Sequence, residues 1–175
     1  KTLKYSEGKN SIKINDLIIK KNKLSSFKKI SIQTKTNDFL IENRSKILVR
    51  GNKFDATNLA KFFNNQREEN ILEKLSSNIE IDFKNINIPV SENLKNFKLI
   101  GEIKKGKFIK ITSKGEFGGD NFLDISMKKD KNSDKKFLEI YSDLPQPLLT
   151  EYSFFDGLSG GKLLFSSIIE NSSST

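Results

Sequence analysis

Between Asn78 and Met127, apolar and polar residues alternate with period two almost without interruption. Ile79, Ile81 and Phe83 interleave with Glu80, Asp82 and Lys84; the pattern slips once at Asn85 and resumes at Ile86 and Ile88. Phe97, Leu99, Gly101 and Ile103 make a second run, Ile109 and Ile111 a third, and Leu123, Ile125 and Met127 a fourth. Successive side chains on a strand point to opposite faces, so each run predicts a strand with one apolar and one charged edge. Ser91-Glu92-Asn93, Lys105-Gly106 and Gly118-Gly119-Asp120 separate the runs with turn residues, and such short links join antiparallel neighbours. The stretch predicts an antiparallel meander with one greasy face, and no residue in it suggests catalytic chemistry.

The flanking sequence extends this pattern. A polar lead, Lys1 to Asn10, precedes a strand with Ile12 and Ile14 on one face, which Leu17 and Ile19 continue across a bulge at Asn15-Asp16. Ile30 and Ile32, Phe39 to Ile41, and Ile47 to Val49 mark three more strands. From Asp55 the period becomes helical: Leu59, Phe62 and Phe63 share one face, and Asp55 is placed to cap the free amides. After a break at Asn64-Asn65, Ile71, Leu72 and Leu75 predict a second amphipathic segment from Arg67 to Ser76, with Glu68 and Glu69 in its first turn. Further on, Phe137 to Tyr141 is apolar on both edges and predicts a strand buried on both faces. Asp143-Leu144-Pro145-Gln146-Pro147 reads as a turn into a short helix carrying Leu148, Leu149 and Tyr152. Asp156-Gly157 and Gly160-Gly161 frame the return into a last strand, Lys162 to Ile169. Strand, cap and helix ending in Phe-Phe occur at Ile47 to Phe63 and again at Leu138 to Phe155, a faint internal repeat. The expected fold is mainly β with a few short helices: one long, twisted antiparallel sheet of eight or more strands, with helices confined to about Ala56 to Ser76 and Gln146 to Phe155.

Composition changes this picture mostly by exclusion. The chain has 175 residues, and its start at Lys1 and Ser-rich end, Asn171 to Thr175, lead us to expect a slice of something longer with a tail or linker at 171–175. No apolar run approaches the eighteen or so residues of a membrane span, and no signal-peptide pattern is present, so any anchor is expected outside this piece. The net charge of +9 is almost all lysine; only Arg44, Arg50 and Arg67 are arginine, and the lysines spread along polar strand edges where they discourage edge pairing. With no Cys and no His, thiol nucleophiles, imidazole bases, disulfides and the usual zinc sites are excluded. Glu80 and Asp82 share a strand face but belong to its solvated edge. The glycines of Gly118-Gly119-Asp120 and of 157–161 lack phosphate-loop spacing. No acid, base and nucleophile set assembles, so we expect no enzyme, no cofactor and no metal. Nucleic acid is also not expected, because no aromatic residues interleave with Arg on a strand face.

The run Val49-Arg50-Gly51-Asn52-Lys53-Phe54-Asp55-Ala56-Thr57-Asn58-Leu59 is a strand ending in Gly, then Phe-Asp-Ala before a helix. It resembles a junction in the large AsmA-like proteins of the bacterial envelope, nearest the YhdP branch. The later order is similar to that branch: alternation from Ile79 to Ile88, a polar link, Leu99 to Ile103, a Lys-Gly turn, and strands broken at Gly115 and Gly118-Gly119. The closing Ser142-Asp143-Leu144, Leu148-Leu149, Phe155-Asp156-Gly157-Leu158 and Gly160-Gly161-Lys162-Leu163 resemble the family's polar cap, Leu-rich helix and Gly-Gly before an outgoing strand. The resemblance covers about Lys46 to Ser167; residues 1–40 carry no matching motif.

The resemblance implies one segment of a long periplasmic protein of a Gram-negative bacterium, anchored to the inner membrane by a part not present here. Repeated strands would form an open, U-shaped β-groove along which phospholipid moves between inner and outer membranes, supporting outer-membrane integrity. The implied partners are phospholipid acyl chains and adjacent segments of the same chain, with membrane contact through parts outside the fragment. The residue pattern agrees on one point: a large one-faced sheet with few helices needs a second layer or a ligand over its greasy side. Ile79, Ile81, Phe83, Leu99, Ile103, Ile109, Ile111, Leu123 and Ile125 are expected to line the concave side, with Glu80, Asp82 and Lys98 outside. The alternative is a closed β-rich assembly or adhesion module whose helices complete a dry core.

Overall fold

The computed structural model describes residues 1–20, 23–58, 75–88, 93–133, 135–151 and 160–170. Among them, short strands come first: β1 (Leu3–Glu7), β2 (Asn10–Asn15), β3 (Ile18–Lys20), β4 (Lys23–Ser26), β5 (Lys29–Gln33) and β6 (Asp38–Asn43). Longer ones follow as β7 (Ile47–Asp55), β8 (Ser77–Asn87), β9 (Leu94–Lys104), β10 (Lys107–Gly118) and β11 (Asn121–Lys129). After β12 (Lys136–Ser142) comes the helix α1 (Gln146–Glu151), and β13 (Leu163–Ile169) closes the order. Eleven strands form one long, mostly antiparallel sheet in the order β1-β2-β5-β6-β7-β8-β9-β10-β11-β12-β13, which is not closed into a barrel.

Alternation in the sequence becomes alternation in burial. On β10, Ile111, Ser113, Gly115 and Phe117 are buried while Thr112, Lys114 and Glu116 are exposed. The expected turns join the long strands tightly. Lys105 and Gly106 lie at φ 50° and 73°, and Gly119 and Asp120 at φ 58° and 64°, the left-handed pairs that two-residue hairpins require.

Four details depart from the sequence pattern. β7 and β8 run parallel, with Ile47 opposite Ile79 and Asp55 opposite Asn87, so the sheet is not antiparallel throughout. β7 ends at Asp55 and β8 begins at Ser77, a separation long enough for the crossover that a parallel pair needs, whereas the other joins within the central stretch are short. The lead is not a coil: Leu3 and Tyr5 alternate on β1 and pair with Ile14 and Ile12. No bulge carries β2 onward, because Asp16 takes φ 54° and the chain leaves the sheet for a separate β3–β4 ribbon. Finally, β12 is not buried on both faces. Phe137 is 44% exposed, since no described helix lies behind it; α1 packs Leu148, and Leu144 before it, against the cluster that includes Leu123 and Ile140 on the other side.

The helix expected at 56–76 falls mostly outside the described residues, as do both Phe-Phe pairs of the internal repeat, the end of the helix expected to reach Phe155, and the 171–175 tail. At its described start, Asp55 Oδ1 accepts from the Thr57 hydroxyl at 2.7 Å and the Thr57 amide at 3.1 Å, which holds its carboxyl below the usual range.

The slip at Asn85 has a structural counterpart wider than one strand. Across β7, β8 and β9 the ladder passes from Gly51, Phe83 and Phe97 to Lys53, Asn85 and Lys95, leaving one extra residue on each: Asn52, Lys84 and Asn96. The flanking strands β6 and β10 carry no extra residue there, and the register shifts against them. Asn96 sits at φ 50° to make the insertion on β9. The result keeps Phe54, Ile86 and Leu94 on the same face as Phe83 and Phe97, although each is three residues further along.

Candidate functional site

Because paired residues in a ladder share a face, the register assigns every strand residue to one side. One side carries Leu3 and Tyr5 on β1, Ile12 and Ile14 on β2, Ile30 and Ile32 on β5, and Phe39 and Ile41 on β6. It continues through Val49 on β7, Ile81 on β8, Leu99 on β9, Ser113 on β10, Ile125 on β11, Ile140 on β12 and Phe165 on β13. Apolar side chains thus occupy one face of all eleven strands. Charged residues dominate the middle of the other face, where Glu80 pairs with Lys46 and lies 3.9 Å from Arg50. Asp82 and Lys98 are on that charged side, opposite one another in the ladder.

Eight of the nine candidate lining residues come together on the apolar face: Ile79, Ile81, Phe83, Leu99, Ile103, Ile111, Leu123 and Ile125. Ile109 is the one that the ladder does not place with them. A bulge on β10 pairs Phe108 with Ile103 and Lys110 with Glu102, leaving Ile109 as the extra residue. Phe108 takes the lining position, where it lies against Gly101: a Cβ built on that glycine would stand 3.0 Å from the phenylalanine ring.

The face is unevenly covered. Phe83, Ile86, Leu94, Phe97, Phe117 and Leu123 form an enclosed cluster, with Leu144 and Leu148 packed against it from the α1 side. Phe39, Phe54 and Phe83 add an aromatic group, Phe39 meeting each of the others edge-on at 5.6 Å and Phe54 stacking on Phe83 at 5.2 Å. Toward both flanks cover thins: Leu3, Tyr5, Ile12 and Phe165 are exposed. Polar groups also sit on this face. The Ser113 hydroxyl is buried with no hydrogen-bond partner among the described residues, and Lys136 is buried at the start of β12.

Beside the cluster, Asp143 fastens three strands. Its carboxylate accepts from the Tyr141 hydroxyl at 2.6 Å, the Lys162 ammonium at 2.9 Å and the Phe122 amide at 3.0 Å. The Tyr141 hydroxyl above all, then Lys162 and the Phe122 amide, hold its pKa down at about 2 against an ordinary 3.8. Its own donors cover the group, so hydrogen bonding outweighs desolvation. A folded-state pKa below the unfolded one contributes stability that is present above about pH 4 and lost as pH falls toward 2. Thermal melts of the parent should therefore lie above those of Asp143→Asn at pH 6, and the gap should narrow between about pH 4 and pH 2. A constant gap across that window would show that the carboxylate's charge is not what fastens the strands.

Nothing else described gathers reactive groups. A depression of about 400 Å³ at the N-terminal end is lined by Asn15, Asp16, Lys28, Lys29, Glu42 and Arg44, charges that in part pair with one another. No cluster of three or more acidic residues suited to a metal ion occurs among the described residues, and none of their helices is long and apolar enough to cross a membrane. No family model matches the chain, and no curated protein or solved structure does either.

Proposed function

We propose that this chain is a segment of an inner-membrane-anchored periplasmic protein that carries phospholipid between the two membranes of a Gram-negative envelope. The single observation that carries this reading is the apolar face shared by all eleven strands of an open sheet, whose opposite face is charged in its middle. Burying an acyl chain on such a surface contributes about 0.8 kcal/mol per CH₂ with no directional contact, which accounts for a site without polar chemistry. Among the described residues no further strand pairs with the flanking strands β1 and β13, and adjacent segments of a longer protein would add strands there.

A second reading, a closed β-rich assembly module with a dry core, draws on one observation. The cluster around Phe117 and Leu123 is already enclosed by protein where α1 packs. Native mass spectrometry of the chain after mild extraction separates the two. Retained phospholipid is the expected result; protein that is bare after extraction from lipid-rich membranes would return the face to a dry core.

A further inference from the structure

On the apolar face one buried side chain carries a charge where hydrocarbon would lie. Lys136 stands in the ladder between Lys129 and Ile169, two rungs beyond Met127 and Leu138, and is only 4% exposed. Its ammonium donates to the Phe108 carbonyl at 3.2 Å, beyond the last registered β10–β11 pair, Ile111 with Met127. Among the described residues no carboxylate pairs with it. An ammonium has three donors, so one carbonyl leaves most of its capacity unused, and a buried cation without a counter-charge is costly. Lys129 is exposed beside it on the same face.

The position of Lys136 matters as much as its charge. Lys136 opens β12 at one rim of the face, and Ser142 ends the strand beside the enclosed cluster. The strip between them holds Met127, Leu138, Ile125 and Ile140. At about 3.3 Å per residue it is roughly 20 Å long, enough for one acyl chain, which spans about half of a hydrocarbon core of ~30 Å. We propose that Lys136 is a headgroup site: it binds the phosphodiester of an acidic phospholipid whose chain lies along that strip. This rests on the conduit reading above and adds a selectivity to it. Lysine binds phosphate as a point charge, so an anionic headgroup is favoured over one carrying its own ammonium.

The test compares uptake by the full chain from vesicles of dioleoyl phosphatidylglycerol and dioleoyl phosphatidylcholine, read by native mass spectrometry, with inorganic phosphate as a third arm. The parent should prefer phosphatidylglycerol by about tenfold, the factor one charge-assisted contact contributes. Lys136→Met should bring that preference near one while phosphatidylcholine uptake stays unchanged. A preference that survives in Lys136→Met, whatever happens to its melting temperature, would make the lysine a clamp on the Phe108 carbonyl and overturn the proposal. Displacement of phosphatidylglycerol by millimolar inorganic phosphate would also overturn it, since the site would then take a free anion. Should Lys136→Met fail to fold, Lys136→Gln replaces it: a reduced preference supports the site and an unchanged one overturns it. Uptake of neither lipid by the parent would instead defeat the conduit reading itself, and the headgroup site with it.

Discussion

Phe117→Ala should lower the unfolding free energy by roughly 3–5 kcal/mol, one of the largest losses any single truncation in this chain can produce. Phe117 is 2% exposed on the apolar face of β10, enclosed with Leu94, Phe97 and Leu123 and with Leu144 and Leu148 close by. Removing its ring loses the transfer energy of the buried carbons and leaves a cavity that strands on both sides hold open. In a domain whose whole stability is about 5–15 kcal/mol, the midpoint should fall by 10 °C or more. Phe165→Ala is the control, because Phe165 lies on the same face but is 46% exposed on the edge strand β13. It should cost no more than about 0.5–1 kcal/mol. Similar losses at the two positions, measured by urea unfolding, would mean that the face is evenly packed and that the covered cluster is not the stabilising centre.

Much of this sheet is legible in the sequence where the alternation is dense. β8, β9 and β11 carry their apolar residues at every second position, and eight of nine candidate residues meet on one face for that reason. β10 is harder to read. Its buried row is Ile111, Ser113, Gly115, Phe117, so two small residues interrupt the apolar signal and Phe117 looks isolated. Gly115 is needed there: an added Cβ would lie 2.8 Å from Leu94 and 3.1 Å from Phe97, which pass over it. Ile109 drops out of the ladder because a bulge is a backbone event that brings Phe108 into register without altering the hydrophobic count. The first strands escaped a full reading because short runs such as Leu3 and Tyr5 carry only two periodic residues. The parallel pair is topological, and composition alone does not tell a crossover from two hairpins. Lys136 has no sequence signal at all, standing at the end of a lysine-rich loop indistinguishable from a solvated one.

Ile81→Asp should abolish lipid occupancy while leaving the fold largely intact. Ile81 is half-buried in the middle of the face, between Val49 on β7 and Leu99 on β9, so a carboxylate there meets only apolar neighbours in the ladder. Beneath an acyl chain such a group would be desolvated, at a cost of several kcal/mol unless protonated. On an uncovered face it reaches water, and melting should drop by only a few degrees. Leu123→Asp behaves differently, because Leu123 belongs to the enclosed cluster and the same charge should unfold much of the chain whether or not lipid binds. In a dry module both variants would collapse alike.

Photo-crosslinking tests the face most directly. A photoreactive residue placed at Leu99 looks out from the apolar side, and one at Lys98, its immediate neighbour, from the charged side. In the presence of phospholipid membranes, lipid adducts should form from position 99 and not from position 98, and Ile81→Asp should remove them. Adducts of equal yield from both positions, or none from position 99, would contradict acyl chains lying along this face.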